Sequence, residues 1–322
     1  MLNRIIAVSV VLAIALSAHT ACAGGRFVPP DGKVLLIVGQ DKRSIDDYIA
    51  SIGIVPGGLM FYTSIQQLEG LYEPIDYGGG LHDGQYLAEK YPVAAMQIGL
   101  WMVGVLGRVA DGSLDGNINK LGEWIKGLKR PVYLRIGYEF DFPENHYDPK
   151  GYIEAFRHIV DRMRKDGVDN VAFVWHSYAS LNSGDVMQWY PGDDYVDWFG
   201  VSYFAQDKKY MQAVAALAKK HGKPLMVAEA TPFGTQTKFG KRSWKNWFAK
   251  FFKFVSYYDV KAISYIDYDW ETYKAFKGQG WGDARVEADD VVKAKWLEEI
   301  KKEKYLQSSP GLFKSLGYPK SP

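Results

Sequence analysis

Eight short apolar runs, separated mostly by helix-length amphipathic segments, predict a single (β/α)8 barrel, the TIM barrel of the α/β class. The chain has 322 residues, which suits one such domain. A doubly wound open sheet is the competing arrangement. The first run, however, leads into VGQDKRS at 38–44, which lacks the spaced glycines of a phosphate loop.

Taken in order, the N-terminal stretch MLNRIIAVSVVLAIALSAHTACAGG reads as an export signal. Arg4 precedes an apolar run from Ile5 to Leu16, and Ala21, Cys22 and Ala23 fit the small-x-small cleavage pattern. The expected division is a signal peptide at 1–23 and a barrel at 24–322, in a secreted or periplasmic protein. The apolar run is too short for a comfortable membrane span. Cys22, the single cysteine, also admits lipoprotein anchoring, although His19 stands where such a motif prefers an aliphatic residue. Because Cys22 lies inside the leader, removal of 1–23 would leave the mature chain with no thiol and no disulfide.

The strands are expected at 33–40 (KVLLIVGQ), 57–64 (GGLMFYTS), 93–101 (VAAMQIGLW), 131–140 (PVYLRIGYEF), 171–179 (VAFVWHSYA), 196–204 (VDWFGVSYF), 224–231 (PLMVAEAT) and 260–270 (VKAISYIDYDW). Runs this apolar, and this rich in β-branched and aromatic residues, belong to strands covered on both faces. Weak helical patterns at 44–52 and 83–90 are followed by a firmer one at 115–128. The segment 148–167 has Asp148 as its cap, Pro149 at the first helical position and Gly167 to close it. The segment 208–223 repeats that scheme and ends at Gly222, and 243–256 and 289–303 complete the set. The C-terminal tail from 304, with SSPGLFKSLGYPKSP at 308–322, is expected to be loosely packed coil.

Net charge is +2 with the signs well mixed, so there is no basic stripe and no nucleic-acid footprint. His82, His146, His158, His176 and His221 are scattered without paired ligand spacing, so neither a metal nor another cofactor is expected. Nothing in the sequence specifies an oligomeric state.

A barrel of this kind does its chemistry at the C-terminal ends of its strands. Those ends carry Gln40 on the first strand, Glu139 and Asp141 on the fourth with Arg135 deeper in, and His176 on the fifth. They also carry Tyr203 on the sixth, Glu229 on the seventh, and Asp267, Asp269, Trp270 and Glu271 on the eighth. Glu139 and Glu229 are the two glutamates at matching levels. Two carboxylates across a pocket suit glycosidic bond hydrolysis, in which one protonates the departing oxygen while the other attacks the anomeric carbon or activates water. Their pKa values must differ, and burial can keep one protonated while Arg135 or a tyrosine hydroxyl holds the other ionised. The loops at 70–86, 142–149 and 182–194 mix glycines with aromatic and polar residues, which suits subsites for a polysaccharide or oligosaccharide.

Glutamates ending the fourth and seventh strands of a (β/α)8 barrel are the pattern of the clan A glycoside hydrolases. Within it, GQ at 39–40, RIGYEFD at 135–141, DWFGVSYF at 197–204 and MVAEATPFG at 226–234 resemble family 26. Members of that family include β-mannanases, β-1,3-xylanases and mixed-linkage glucanases. The resemblance implies an exported retaining glycosidase, endo-acting on a β-linked polysaccharide: mannan, xylan, glucan or an exopolysaccharide. By position it implies Glu139 as general acid/base, Glu229 as nucleophile, Tyr203 hydrogen-bonded to the nucleophile and Trp270 as a wall beneath the sugar. Arg135, His176, Gln40, Tyr138, Asp141 and Asp267 are the candidate supporting or substrate-binding residues. Typical family 26 mannanases have histidine immediately before the acid/base, where this chain has Tyr138, so its sugar-recognition shell is expected to differ. The competing function is a catalytically weak glycan-binding barrel of an exopolysaccharide or cell-surface system.

Overall fold

A computed structural model describes residues 24–319, so the expected leader and Cys22 lie outside the described residues. Eight parallel strands form the barrel: β1 (Val34–Gly39), β2 (Gly58–Ser64), β3 (Ala95–Trp101), β4 (Val132–Ile136), β5 (Val171–Ser177), β6 (Trp198–Tyr203), β7 (Leu225–Ala230) and β8 (Ala262–Ile266). Each pairs with the next, and β8 returns to β1 in a register running from Leu35 opposite Ala262 to Gly39 opposite Ile266. The sheet is closed. These are the eight predicted runs, with the fourth and eighth shorter than expected because extended pairing ends at Ile136 and Ile266.

Alternate strand residues face inward. Leu35, Ile37, Met60, Tyr62, Tyr133, Val174, Trp198, Met226 and Ala228 share the interior cluster, while Val38, Phe61, Leu134, Phe173 and Val227 pack outward beneath the helices. The helices used below are α1 (Lys42–Ile52), α2 (Pro149–Lys165), α3 (Lys208–Lys220) and α4 (Ala249–Tyr257). α2 begins as its sequence dictates. Asp148 accepts from the Gly151 amide, and Pro149 sits at the first turn, where a missing N–H is harmless. Its stripe of Tyr152, Phe156, Ile159 and Met163 repeats at the helical period and is buried on the barrel.

β7 breaks the alternation. Val227 stands opposite Val201 on β6, but Glu229 stands opposite the next residue, Ser202. The same irregularity recurs on the β8 side, where Ile263 faces Val227 and Tyr265 faces Ala230. One extra residue is therefore inserted at Ala228. Ala228 and Glu229 both reach the interior, and Ala230 rejoins the outer cluster. Bulges of this kind re-aim a side chain.

The C-terminal tail corrects an expectation. It is not loose coil: Tyr305–Leu306 adds a short parallel strand beside the start of β1, and Leu312, Phe313, Leu316 and Tyr318 are buried in the interior cluster. Phe27 meets Tyr133 and Tyr318 edge-on, at ring separations of 6.4 and 5.8 Å, and its carbonyl accepts from the Tyr133 hydroxyl at 2.6 Å. Together these segments seal the barrel floor. The flanking serines, prolines and lysines hid a short apolar turn in the sequence. Among the described residues, no helix is long and apolar enough to cross a membrane.

Candidate active site

Arg135 stands at the centre of the site. It projects from β4 into the interior with no exposed surface. Its Nη1 donates to Glu229 Oε1 in a close ion pair and lies 3.3 Å from His176 Nδ1. Its Nη2 donates to Met60 Sδ at 3.2 Å, and the rings of Tyr62 and Tyr138 lie 5.0 and 5.2 Å from the guanidinium carbon. A guanidinium cannot shed its proton, so burying it requires partners of this kind. The bulge in β7 supplies the carboxylate.

Past β4 the chain turns through Gly137 and Glu139, both with φ of 53°. At Gly137 a Cβ would meet Tyr152 Cε2 at 2.8 Å and Met102 Cε at 2.7 Å. For Glu139 the left-handed conformation is an uncommon and strained one, and the surroundings hold it there. Its carbonyl accepts from the Phe142 amide and from Asn145 Nδ2, each at 2.9 Å. Its carboxylate accepts from Ser202 Oγ at 2.5 Å, and that oxygen lies 2.9 Å from His176 Nε2. The two glutamates are thus joined through Arg135, His176 and Ser202. Burial, then the negative charge of Glu229, push the Glu139 carboxyl well above the usual carboxylate range; the Ser202 bond and the Arg135 charge oppose that rise. Burial, reinforced by the Arg135 charge, holds His176 well below its ordinary value, so its ring is neutral.

Aromatic rings border this centre. Trp101, at the end of β3 and 36% exposed, lies 6.0 Å from the Tyr138 ring, which in turn sits 5.1 Å from Tyr62. Beyond β8, Trp270 packs between Phe276 and Trp281, at 4.9 and 5.1 Å. Its Nε1 donates to Thr231 Oγ1 at 3.3 Å, two residues past Glu229.

Residues 104–272 match the sequence profile described as Glycosyl hydrolase family 26. A β-1,3-xylanase from Vibrio sp, TXYA, is 36% identical over 346 aligned positions, which span 98% of this chain and 75% of that protein. The chain belongs to glycosyl hydrolase family 26. A second β-1,3-xylanase, from Alcaligenes sp, is 35% identical across 98% of this chain and 73% of its own length. Among solved structures, a family 26 β-mannanase from Bacteroides ovatus has a TM-score of 0.66 at 16% identity, covering 88% of this chain and 93% of that one. That likeness speaks to the fold. The family makes this protein a glycoside hydrolase with a polysaccharide as substrate.

Several side chains of this family 26 hydrolase sit elsewhere than their sequence neighbours suggested. Tyr203 faces outward, where its ring packs on Trp247, Phe251 and Phe254 at 5.6, 5.1 and 5.3 Å. Its hydroxyl is therefore not beside Glu229; the inward residue of β6 is Ser202, whose hydroxyl bonds Glu139. Asp141 is consumed by structure, accepting from the amides of Tyr178 and Ser180 at 2.6 and 3.2 Å and from Ser177 Oγ at 2.9 Å. It ties the loop after β4 to the loop after β5. Asp267 turns towards the helix layer, accepts from the Val286 amide at 2.8 Å, and is raised well above the carboxylate range by burial and then by Glu287. Gln40 clamps the loop after β2, donating to the Gly79 carbonyl at 3.0 Å.

Glu139, Glu229, Arg135, His176 and Tyr138 come together, and Trp270 lies alongside. Ser202 and Trp101 are additions. Parity was the available signal for Ser202: Phe199, Val201 and Tyr203 are the large members of one alternate set, and Gly200 and Ser202 the small members of the other. Trp198, of that same set, fills the interior lower down, and the small residues above it leave room at the mouth.

Proposed function

We propose that this hydrolase is an exported, retaining endo-glycosidase that cleaves β-linked polysaccharide by double displacement, with β-1,3-xylan as the first substrate to try. The observation that carries the mechanism is the buried connection between Glu139 and Glu229 through Arg135, His176 and Ser202. Arg135 sets a permanent positive charge against Glu229, which suits a nucleophile, while the upward shift of Glu139 suits an acid that must hold its proton.

In the first step a Glu229 oxygen bonds to the anomeric carbon. The glycosidic C–O bond breaks, and the departing oxygen takes the Glu139 proton. In the second step water gives a proton to Glu139 and its oxygen bonds to the same carbon, releasing Glu229 as carboxylate. The substrate choice rests on 36% identity to a β-1,3-xylanase across nearly the whole chain, together with Tyr138 in place of the histidine typical of mannanases. Residues 1–23 are read as the leader that exports the enzyme, with the barrel starting at Gly24; the mass of the exported protein tests this.

Glu229→Ala is expected to show no turnover above background on β-1,3-xylan, with azide restoring cleavage of an aryl glycoside to give the inverted glycosyl azide. Glu139→Ala is expected to lose roughly 10²–10⁴-fold on xylan, but far less on a substrate whose leaving group needs no proton. Near-normal activity in Glu229→Ala would overturn the assignment. Release of products from mannan but not from β-1,3-xylan would overturn the substrate.

A further inference from the structure

Resting on the reading of Glu139 as acid/base, we propose that His176 and Ser202 are positioning residues. They form a hydrogen-bond relay from Arg135 that aims the Glu139 carboxylate and steadies its ionised form.

Donor chemistry and geometry together give the direction of each bond. Arginine has five N–H donors and no acceptor, so at 3.3 Å from His176 Nδ1 it is Arg135 Nη1 that donates. Nη1 carries two hydrogens, and the other serves Glu229 Oε1. His176 is neutral, so with Nδ1 accepting, its single proton is on Nε2. That N–H donates to Ser202 Oγ at 2.9 Å. The serine oxygen accepts that bond with one of its two lone pairs and donates its single hydrogen to Glu139 Oε1 at 2.5 Å. The relay runs one way, from the fixed cation to the carboxylate. His176 and Ser202 have no exposed surface, so water does not compete for these bonds.

Glu139 needs such an anchor because its backbone alone does not aim it. The left-handed turn is fixed through the carbonyl, by Phe142 and Asn145, and this leaves the side chain free to rotate. Ser202 fixes the other end. Histidine immediately before the acid/base, the typical mannanase arrangement, is replaced here by Tyr138. The histidine of this site comes instead from β5, and it acts through a hydroxyl from β6.

The two steps place opposite demands on the relay. Glu139 must be protonated for the first and ionised for the second, and a hydroxyl donor favours the ionised form. Its charge environment also includes Glu229 on β7, Arg135 on β4 and Asp141 in its own loop, with the tyrosines 138 and 178 near it. None of these replaces a direct bond to Oε1.

The test compares Ser202→Ala and His176→Phe with the wild type, each checked for fold by its melting curve. For Ser202→Ala the alkaline limb of kcat/KM is expected to move up by about one pH unit, since the ionised form loses a bond. On an aryl glycoside with an excellent leaving group, kcat and KM are expected to fall together by roughly tenfold or more, with kcat/KM little changed, because the second step slows. His176→Phe, which removes the donor to Ser202, is expected to shift the limb in the same direction by less. A uniform loss of activity with the limb unmoved would overturn the relay; should His176→Phe not fold, Ser202→Ala decides alone. The acid/base reading stands or falls separately. If Glu139→Ala is equally slow with good and poor leaving groups, that reading fails whatever Ser202→Ala does.

Discussion

Phe313→Ala tests whether the barrel floor is structural. Phe313 is 1% exposed, in one cluster with Phe27, Leu316 and Tyr318, and its ring lies 6.4 Å from that of Tyr318. Truncating a phenylalanine this buried removes its transfer free energy and leaves a cavity, together about 3–5 kcal/mol. Against a typical total of about 5–15 kcal/mol, the variant folds but with a large part of its margin gone. In a domain this size, about 1 kcal/mol moves the thermal midpoint by roughly 2 °C, so a fall of roughly 6–10 °C is expected. Urea unfolding followed by tryptophan fluorescence measures the free energy, and a thermal scan the midpoint. Activity well below the transition should be unchanged, because the floor is at the opposite end of the strands from Glu139 and Glu229. A loss under 1 kcal/mol would mean that residues 312–318 do not pack against the barrel in solution, and the floor would have to be redrawn.

Tyr203→Phe should keep kcat/KM within about twofold and stability within about 0.5 kcal/mol, since the hydroxyl points into the helix layer; a hundredfold loss would return Tyr203 to the pocket. Trp101→Ala should raise KM by roughly threefold to tenfold with kcat held, the effect of losing one stacking ring at the rim, and initial rates against polysaccharide concentration measure it. The alkaline limb of kcat/KM should lie well above the ordinary carboxylate range, because Glu139 acts while protonated and activity is lost as pH rises through its raised pKa. By linkage, the same group favours the folded state most fully below its unfolded pKa, and that contribution is lost as pH rises through the folded value. A limb near the usual carboxylate pKa would refute the shift.

The barrel was legible because parallel strands buried on both faces must read as apolar runs, and eight of them did. Glu139, Glu229 and Arg135 were legible because ionised groups in such runs have few structural excuses. The same double burial hid the parity of β6. With both faces apolar, and Trp198 in the same alternate set, the small Gly200 and Ser202 give only a faint sign in DWFGVSYF of which set points inward. Asp141 and Asp267 look like pocket carboxylates on paper. Their occupation by backbone amides of distant loops is a tertiary fact that no local pattern carries. The floor was missed for a related reason: Leu312, Phe313 and Leu316 make too short a turn to show a period among serines, prolines and lysines.

The bulge at Ala228 loosens the tie between a residue's place in the sequence and the face it presents. In strict alternation Ala228 and Glu229 would point to opposite faces; with one residue inserted, both reach the interior while Glu229 stands level with Ser202. Deleting Ala228 would restore plain alternation, with Val227 and Glu229 still opposite Val201 and Ser202. The carboxylate would keep its face and its rung, and lose only the local bend that aims it at Arg135.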